Sequence, residues 1–458
     1  PTIGLARLLY LALFHTPGVA TIPVRAVHTV ADRLGGVDAF TVTAFGRPLL
    51  TALATRASVT GAIGLPEATL SSDALTGTAA RGMEPVGWAA ANRARRTDTI
   101  MDPTASVAVA SAMRAALLRT WGLGSPTMRD ALDGQVGPQL AAAAASSAAG
   151  EPVNLFRTVS RAVLGSGAAL MVGSRFAAAH GDDVRAGIAA WEPAALGVPW
   201  FLAPRTTRRL RPGVTAAFSR AFDPLHAYCE AVMRGEEAVE AGTYLAALLE
   251  GIAAAAPADT VTPSQVAVHM FGVLVALHIN TYSSGAWAVA QAVAEPDLHA
   301  AVVAEADALA AGRPPPVDWD KRVPSPIGMP VLEGIWAEAL RTNVVAPTLR
   351  FARAPFHVAA TGGGGGGSGD GGHPGWTVPG DGRLIVVSLL PMNRGAHHAA
   401  ADTFVPTRFV PPHGRPWRVA EQERELYGFA WGAHVCIGRR VAETTLRRLW
   451  LEFFTVYS

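Results

Sequence analysis

Cysteine is almost absent from this sequence: Cys229 and Cys436 are the only two in 458 residues. Two thiols over that length exclude a disulfide framework and a four-cysteine zinc site. Charge is scarce too, at 16% of residues, and balanced, with 38 Lys+Arg against 36 Asp+Glu and a formal net charge of +2. The clustered basic charge of a nucleic-acid binder is missing, so no nucleic-acid partner is expected. The N-terminal apolar run, Leu5 to Phe14, is only ten residues long and carries Arg7. A bilayer span needs roughly 20 residues, so this segment reads as the first buried helix, with an anchor remnant as the alternative. What is plentiful is apolar side chain, half of all residues, which excludes a disordered chain and suffices for a large core.

The pattern along the chain is mainly α with a small β portion. Ala39 to Leu50 alternates apolar and polar residues and turns at Gly46-Arg47-Pro48, as a hairpin does. Val153 to Val172 and Ala216 to Met233 have helical periodicity, with a basic loop from Pro204 to Pro212 between them. Thr262 is a good N-cap and Pro263 suits the first helical position, and nothing then breaks the pattern until Glu295-Pro296. Such a helix is roughly 45 Å long, enough to cross a whole domain. Its polar residues His269, His278, Asn280, Thr281, Ser283 and Ser284 point to a buried central helix rather than a membrane span. Residues 362–372 are a flexible glycine-rich insertion. Because the motifs below need both sides of it, one domain is expected over residues 1–458. Leu384 to Leu390 reads as a buried strand.

Chemistry concentrates near the C-terminus. In FAWGAHVCIG, residues Phe429 to Gly438, a single cysteine follows a glycine-containing turn and precedes a helix. Backbone N–H groups and the positive helix end then favour the thiolate, the metal-binding form. Gly432 and Gly438 let the backbone approach a flat cofactor, and Phe429 packs at its edge. Upstream, Glu338 and Arg341 stand at i, i+3 on one helix face. Glu421 and Arg424 fit the same spacing, so spacing alone does not choose between the pairs.

These segments together resemble the cytochromes P450, the haem-thiolate monooxygenases. The resemblance implies that Cys436 is the axial ligand of a haem b (iron protoporphyrin IX), whose thiolate favours O–O cleavage. His434 stands where that family most often has arginine, facing a haem propionate. Glu338 lies 98 residues before Cys436, as the family's Glu-x-x-Arg does, and Phe404 to Phe409 resembles its Pro-x-Arg-Phe segment. The implied structural triad is Glu338, Arg341 and Arg408, a buried lock on the cysteine loop. Arg350 or Arg353 is expected at a haem propionate, with either suited to the task. Trp88 and Arg93 resemble the family's haem-contacting helix at a spacing one residue too long. The histidines His397, His398, His413 and His434 match no zinc spacing.

The long helix departs from the family's majority pattern. Aligned on Trp287, Asn280 stands where a threonine is usual and Ile279 where an acid is usual. Asn280-Thr281 followed by small residues and Trp287 resembles the branches holding sterol 7α-hydroxylases, prostacyclin synthase and sterol 14α-demethylases. The implied activity is hydroxylation of a lipophilic, sterol-like substrate, with Asn280 and Thr281 as catalytic candidates. Electrons then come from an NADPH-dependent reductase, since no flavin or nucleotide motif is visible. Arg439, Arg440, Arg447 and Arg448 make a basic face for it. Because an amide carries protons poorly, an isomerase or dehydratase acting on a lipid peroxide is the alternative, and a catalytically silent haem protein is a third. Membrane association at the endoplasmic reticulum with a cytoplasmic catalytic domain is expected for a eukaryotic source, and a cytoplasmic location otherwise. The chain starts without Met and ends 22 residues past Cys436, so truncation at both ends is expected.

Overall fold

A computed structural model describes residues 2–4, 39–44, 47–53, 62, 65, 70–71, 115–116, 120, 126–195, 212–255, 261–312, 329–343, 348–358, 376–381, 384–387, 399–409, 428–429 and 436–456. The apolar run at 5–14, Trp88, Arg93, the loop at 204–211, the glycine tract, Gly432, His397, His398, His413 and His434 lie outside the described residues, as do Glu421 and Arg424.

Eight strands are described: β1 (Thr2–Gly4), β2 (Ala39–Ala44), β3 (Arg47–Leu53), β4 (Leu70–Ser71), β5 (Thr348–Ala352), β6 (Phe356–Val358), β7 (Trp376–Val378) and β8 (Leu384–Val387). The alternating segment near residue 40 forms the expected hairpin, closing at Ala44 and Arg47. Its two strands share a buried hydrogen bond between the Thr41 and Thr51 hydroxyls at 3.1 Å. The main sheet runs β1-β2-β3-β8-β5-β4. Thus β3 lies parallel to β8, with Leu50 opposite Leu384, which joins strands more than 300 residues apart. The strands on either side of the glycine tract, β6 and β7, pair antiparallel.

The helices are α1 (Pro126–Ala148), α2 (Leu155–Met171), α3 (Ser174–Ala195), α4 (Pro212–Met233), α5 (Tyr244–Ala255), α6 (Pro263–Ala294), α7 (Pro296–Ala310), α8 (Pro330–Asn343) and α9 (Arg439–Val456). The start of α6 is fixed by a capping box: Gln265 N–H donates to Thr262 Oγ1, and Thr262 N–H to Gln265 Oε1 at 2.7 Å. Each bond satisfies a donor that a helix end otherwise leaves orphaned. Although α6 is the one described helix long and apolar enough to cross a membrane, it packs against α2, α4, α7, α8 and α9. Phe271, fully buried near its start, sits against Trp191, Phe218 and Phe222 at centroid distances of 5.3–5.8 Å. Cys229, on α4, is fully buried, and desolvation pushes its thiol up to about 12, which makes it an inert core residue.

Two contacts fix neighbouring helices, one joining α6 to α9 and the other α7 to α8. Gly285 of α6 lets α9 approach so closely that a Cβ there would overlap the Leu446 side chain, and Trp450 Nε1–H donates to Gly285 O at 3.3 Å. Adding that methyl overpacks a buried crossing, so Gly285→Ala is expected to cost about 1–3 kcal/mol in denaturant unfolding. The second contact is a cap from outside. Glu305, on α7, accepts Val331 N–H at 2.7 Å and Leu332 N–H at 3.4 Å at the start of α8. Burial raises its carboxyl to about 7, against the opposing pull of those two N–H groups. Between about pH 4.5 and 7 the folded chain therefore holds a proton the unfolded chain has released, and stability falls as pH rises through that window. Glu305→Gln should remove this share of the slope, on the order of 2–3 kcal/mol, read as unfolding midpoints of both proteins across that range.

Candidate active site

Glu338 is fully buried and holds two guanidinium groups. Arg341, one helical turn later on α8, donates through Nε to Oε2 at 2.7 Å and through Nη2 to Oε1 at 2.8 Å. Arg408, from the 399–409 loop, donates through Nε to both oxygens at 3.1 and 3.2 Å. Val405 N–H adds a fourth donor at 2.8 Å. One carboxylate and two guanidiniums leave an excess positive charge, and backbone carbonyls meet it. Arg341 reaches Ala401 O and Thr403 O at 2.5 and 2.9 Å, and Arg408 reaches Ala399 O at 2.6 Å. Ala400, between those acceptors, takes a left-handed φ of 50°, a conformation that an L side chain disfavours and its surroundings must impose. The structure thus brings Glu338, Arg341 and Arg408 together.

The cysteine loop rests on the same helix. Cys436 N–H donates to Phe429 O at 2.8 Å, which closes the loop across its base. The Phe429 ring meets Trp336 of α8 edge-on at 5.7 Å, and Trp336 meets Trp450 of α9 at the same distance. A Cβ on Gly428 would come within 3.3 Å of Leu340 Cβ, so the loop lies flat on α8. At the sulfur, burial pushes the thiol up, although the residue as a whole is exposed to solvent. Backbone N–H groups of Gly438 and Arg439 and the Arg439 charge pull the other way, and Glu443 adds to the upward push.

Ile437, next to the cysteine, is also exposed, at 42%. A thiol with N–H donors turned on it, beside a large uncovered aliphatic side chain, suits a soft metal held in a flat apolar ring. The residues present therefore fit an iron porphyrin. Among the described residues no group of three His, Cys, Asp or Glu could hold a bare metal ion.

The candidates on α6 part company. Asn280 is exposed, whereas Thr281 is buried and faces the core. A turn of about 100° per residue separates neighbouring helix positions. Ala276, Asn280 and Trp287 are exposed and, with the half-buried Gly272 and Ser283, share one face along the middle of this helix. The Asn280 amide is held by Nδ2–H donating to Ala276 O at 3.1 Å, which leaves Oδ1 as the atom it presents. On the buried side, His278 Nε2 pairs with Ser160 Oγ at 2.8 Å and its ring stacks on Tyr282 at 4.6 Å. Desolvation lowers His278 to about 4, so it is neutral at physiological pH. Its Nδ1 is buried without a partner. Of the two arginines near β5, Arg350 is buried within the strand and Arg353 is exposed beyond its end.

Sequence reasoning missed Trp336, Ile437 and the Val405 N–H. Trp336 and the Val405 N–H matter through neighbours distant in the chain, and Ile437 through an exposure that no spacing rule gives. Removing the Glu338 charge strands one fully buried guanidinium, Arg341, and one partly buried, Arg408. Glu338→Gln is therefore expected to cost about 3–5 kcal/mol, measured as a lowered unfolding midpoint and loss of soluble protein.

The family model for cytochrome P450 matches residues 139–453, more than two thirds of the chain. No curated protein matches closely enough to name a relative. The family binds haem b and comprises haem-thiolate monooxygenases supplied with electrons by redox partners and acting on lipophilic substrates. With its helical core, cysteine loop and central helix inside the matched span, the chain belongs to the cytochrome P450 family.

Proposed function

We propose that this chain hydroxylates a lipophilic, sterol-like substrate, with Cys436 as the axial ligand of haem b and Asn280 on the face that meets the substrate. The observation that carries the reading is the Cys436–Ile437 pair, exposed together on a loop braced by α8, with the N–H groups of Gly438 and Arg439 turned on the sulfur. When bound, thiolate-ligated haem supplies activation of O2 and insertion of one oxygen atom. The protein's own residues do the rest. Phe429 and Ile437 shield the ligand from water, and Gly438 lets the backbone approach the ring. Gly432 and His434 keep the roles their motif positions imply. Arg350, buried in its strand, is better placed than exposed Arg353 to hold a carboxylate of the cofactor.

Asn280 presents a fixed acceptor and does not relay protons, while Thr281 belongs to the packing of α6. Electrons arrive from an NADPH-dependent reductase at the basic surface of α9. That surface is partly neutralised within the chain: Arg439 pairs with Glu443, and Arg448 with Asp133 and Glu452. Arg440, exposed on the first turn, offers the most open charge. The whole chain acts as one haem domain with residues 362–372 as an insertion, associated with the endoplasmic reticulum membrane in a eukaryote. A second reading, rearrangement of a lipid peroxide without O2 or reductase, is favoured by the amide at Asn280 and the aliphatic Ile279 before it.

The reduced, CO-bound protein is expected to show the red-shifted Soret band of thiolate ligation, and Cys436→Ser to abolish it. A band that survives the substitution disproves the ligand assignment. NADPH consumption with reductase present supports the hydroxylase, turnover of a hydroperoxide alone supports the isomerase, and haem binding with neither supports a silent protein.

A further inference from the structure

The first turns of α9 carry two oppositely charged side chains next to Cys436 whose pairing has no role in the function proposed above. Arg439 Nε–H donates to Glu443 Oε1 at 2.8 Å, one turn along the helix, and the two side chains are only 27% and 10% exposed. The same guanidinium sits 5.3 Å above the Phe429 ring. Phe429 O in turn accepts the Cys436 N–H. Arg439 is therefore held over the cysteine loop and not swung out into solvent, as its neighbour Arg440 is. A charge fixed in a partly desolvated site acts on a nearby sulfur far more strongly than a solvated one. Fixed charges of opposite sign beside a sulfur act in opposite senses: a cation favours its negative form and an anion opposes it.

We propose that the Arg439–Glu443 pair is a positioning and charge-setting device for Cys436. Through Phe429 the guanidinium orients the ligand loop, and the carboxylate limits how much positive charge the sulfur feels. Together they set the reduction potential of thiolate-bound iron and the electron donation of the sulfur to it. This rests on Cys436 being the haem ligand. The sign follows from electrostatics: added positive charge beside the sulfur favours the reduced state and weakens donation, and its removal does the reverse.

The test compares Arg439→Gln, Glu443→Gln and the double variant with the unaltered protein, each loaded with haem. The readouts are the midpoint potential and the C–O stretching frequency of the reduced, CO-bound form. Glu443→Gln should raise both and Arg439→Gln should lower both, and the double variant should return close to the starting values. Single variants that shift in the same direction, or not at all, overturn the proposal, since lost packing moves both alike. Arg439→Lys separates charge from geometry: it keeps the charge but not the fork over Phe429. It should hold the potential nearer the starting value than Arg439→Gln does, and a potential as low as that of Arg439→Gln counts against the charge-setting role. The thiolate Soret band is checked throughout. Its absence from the unaltered protein refutes the ligand reading beneath the proposal, whereas its presence with unmoved potentials refutes the proposal alone.

Discussion

Burying a carboxylate costs several kcal/mol unless other charges and donors replace the water it loses. At Glu338 two guanidiniums and one backbone N–H do so, and the carbonyls of residues 399–403 absorb the positive charge left over. The network closes only if α8 and the 399–409 loop hold a fixed relation, because every donor is aimed. That requirement makes α8 the reference element of the molecule. Its N-terminus is capped by Glu305 of α7, Trp336 supports Phe429, and Leu340 lies under Gly428. The helix that carries the lock therefore also carries the floor of the cysteine loop.

The two cysteines show how far environment overrides residue type. Cys229 sits among apolar side chains of α4 with nothing to stabilise a thiolate. Cys436 feels desolvation as well, but with two backbone N–H groups and a cation opposing it. A thiol so placed is costly to ionise alone and ready to ionise against a metal. The long helix makes a similar distinction between adjacent residues, since one step turns Asn280 outward and Thr281 inward. The packing of α2 and α9 against α6 decides which face stays open.

Much of this was legible in the sequence wherever the cause was local. The hairpin near residue 40 follows from alternation and a tight turn, and the start of α6 from Thr262, Pro263 and Gln265, all within one helical turn. Mainly helical architecture with a small sheet follows from periodicity. The Glu338–Arg341 pairing was legible as spacing, though the same spacing recurs at Glu421 and Arg424. Order along the chain and likeness to a family, not local physics, separated the two. The difference in burial between Arg350 and Arg353 was not legible, because it depends on the pairing of β5 with β8, a long-range matter.

The sequence by itself determined which residues can do chemistry here: one cysteine in a glycine-containing turn before a helix, a carboxylate spaced for an arginine, and a long helix with a polar middle. Those are properties of spacing and side-chain type, set within a few residues. Only the tertiary structure decided their surroundings. It packed Phe429 under the cysteine loop against Trp336 of α8 and sealed the other cysteine in the core. It also left Asn280 open while burying Thr281, and supplied Arg408 from 70 residues downstream of Glu338. Solvation and electric field depend on everything nearby in space, and no local pattern in the sequence encodes that.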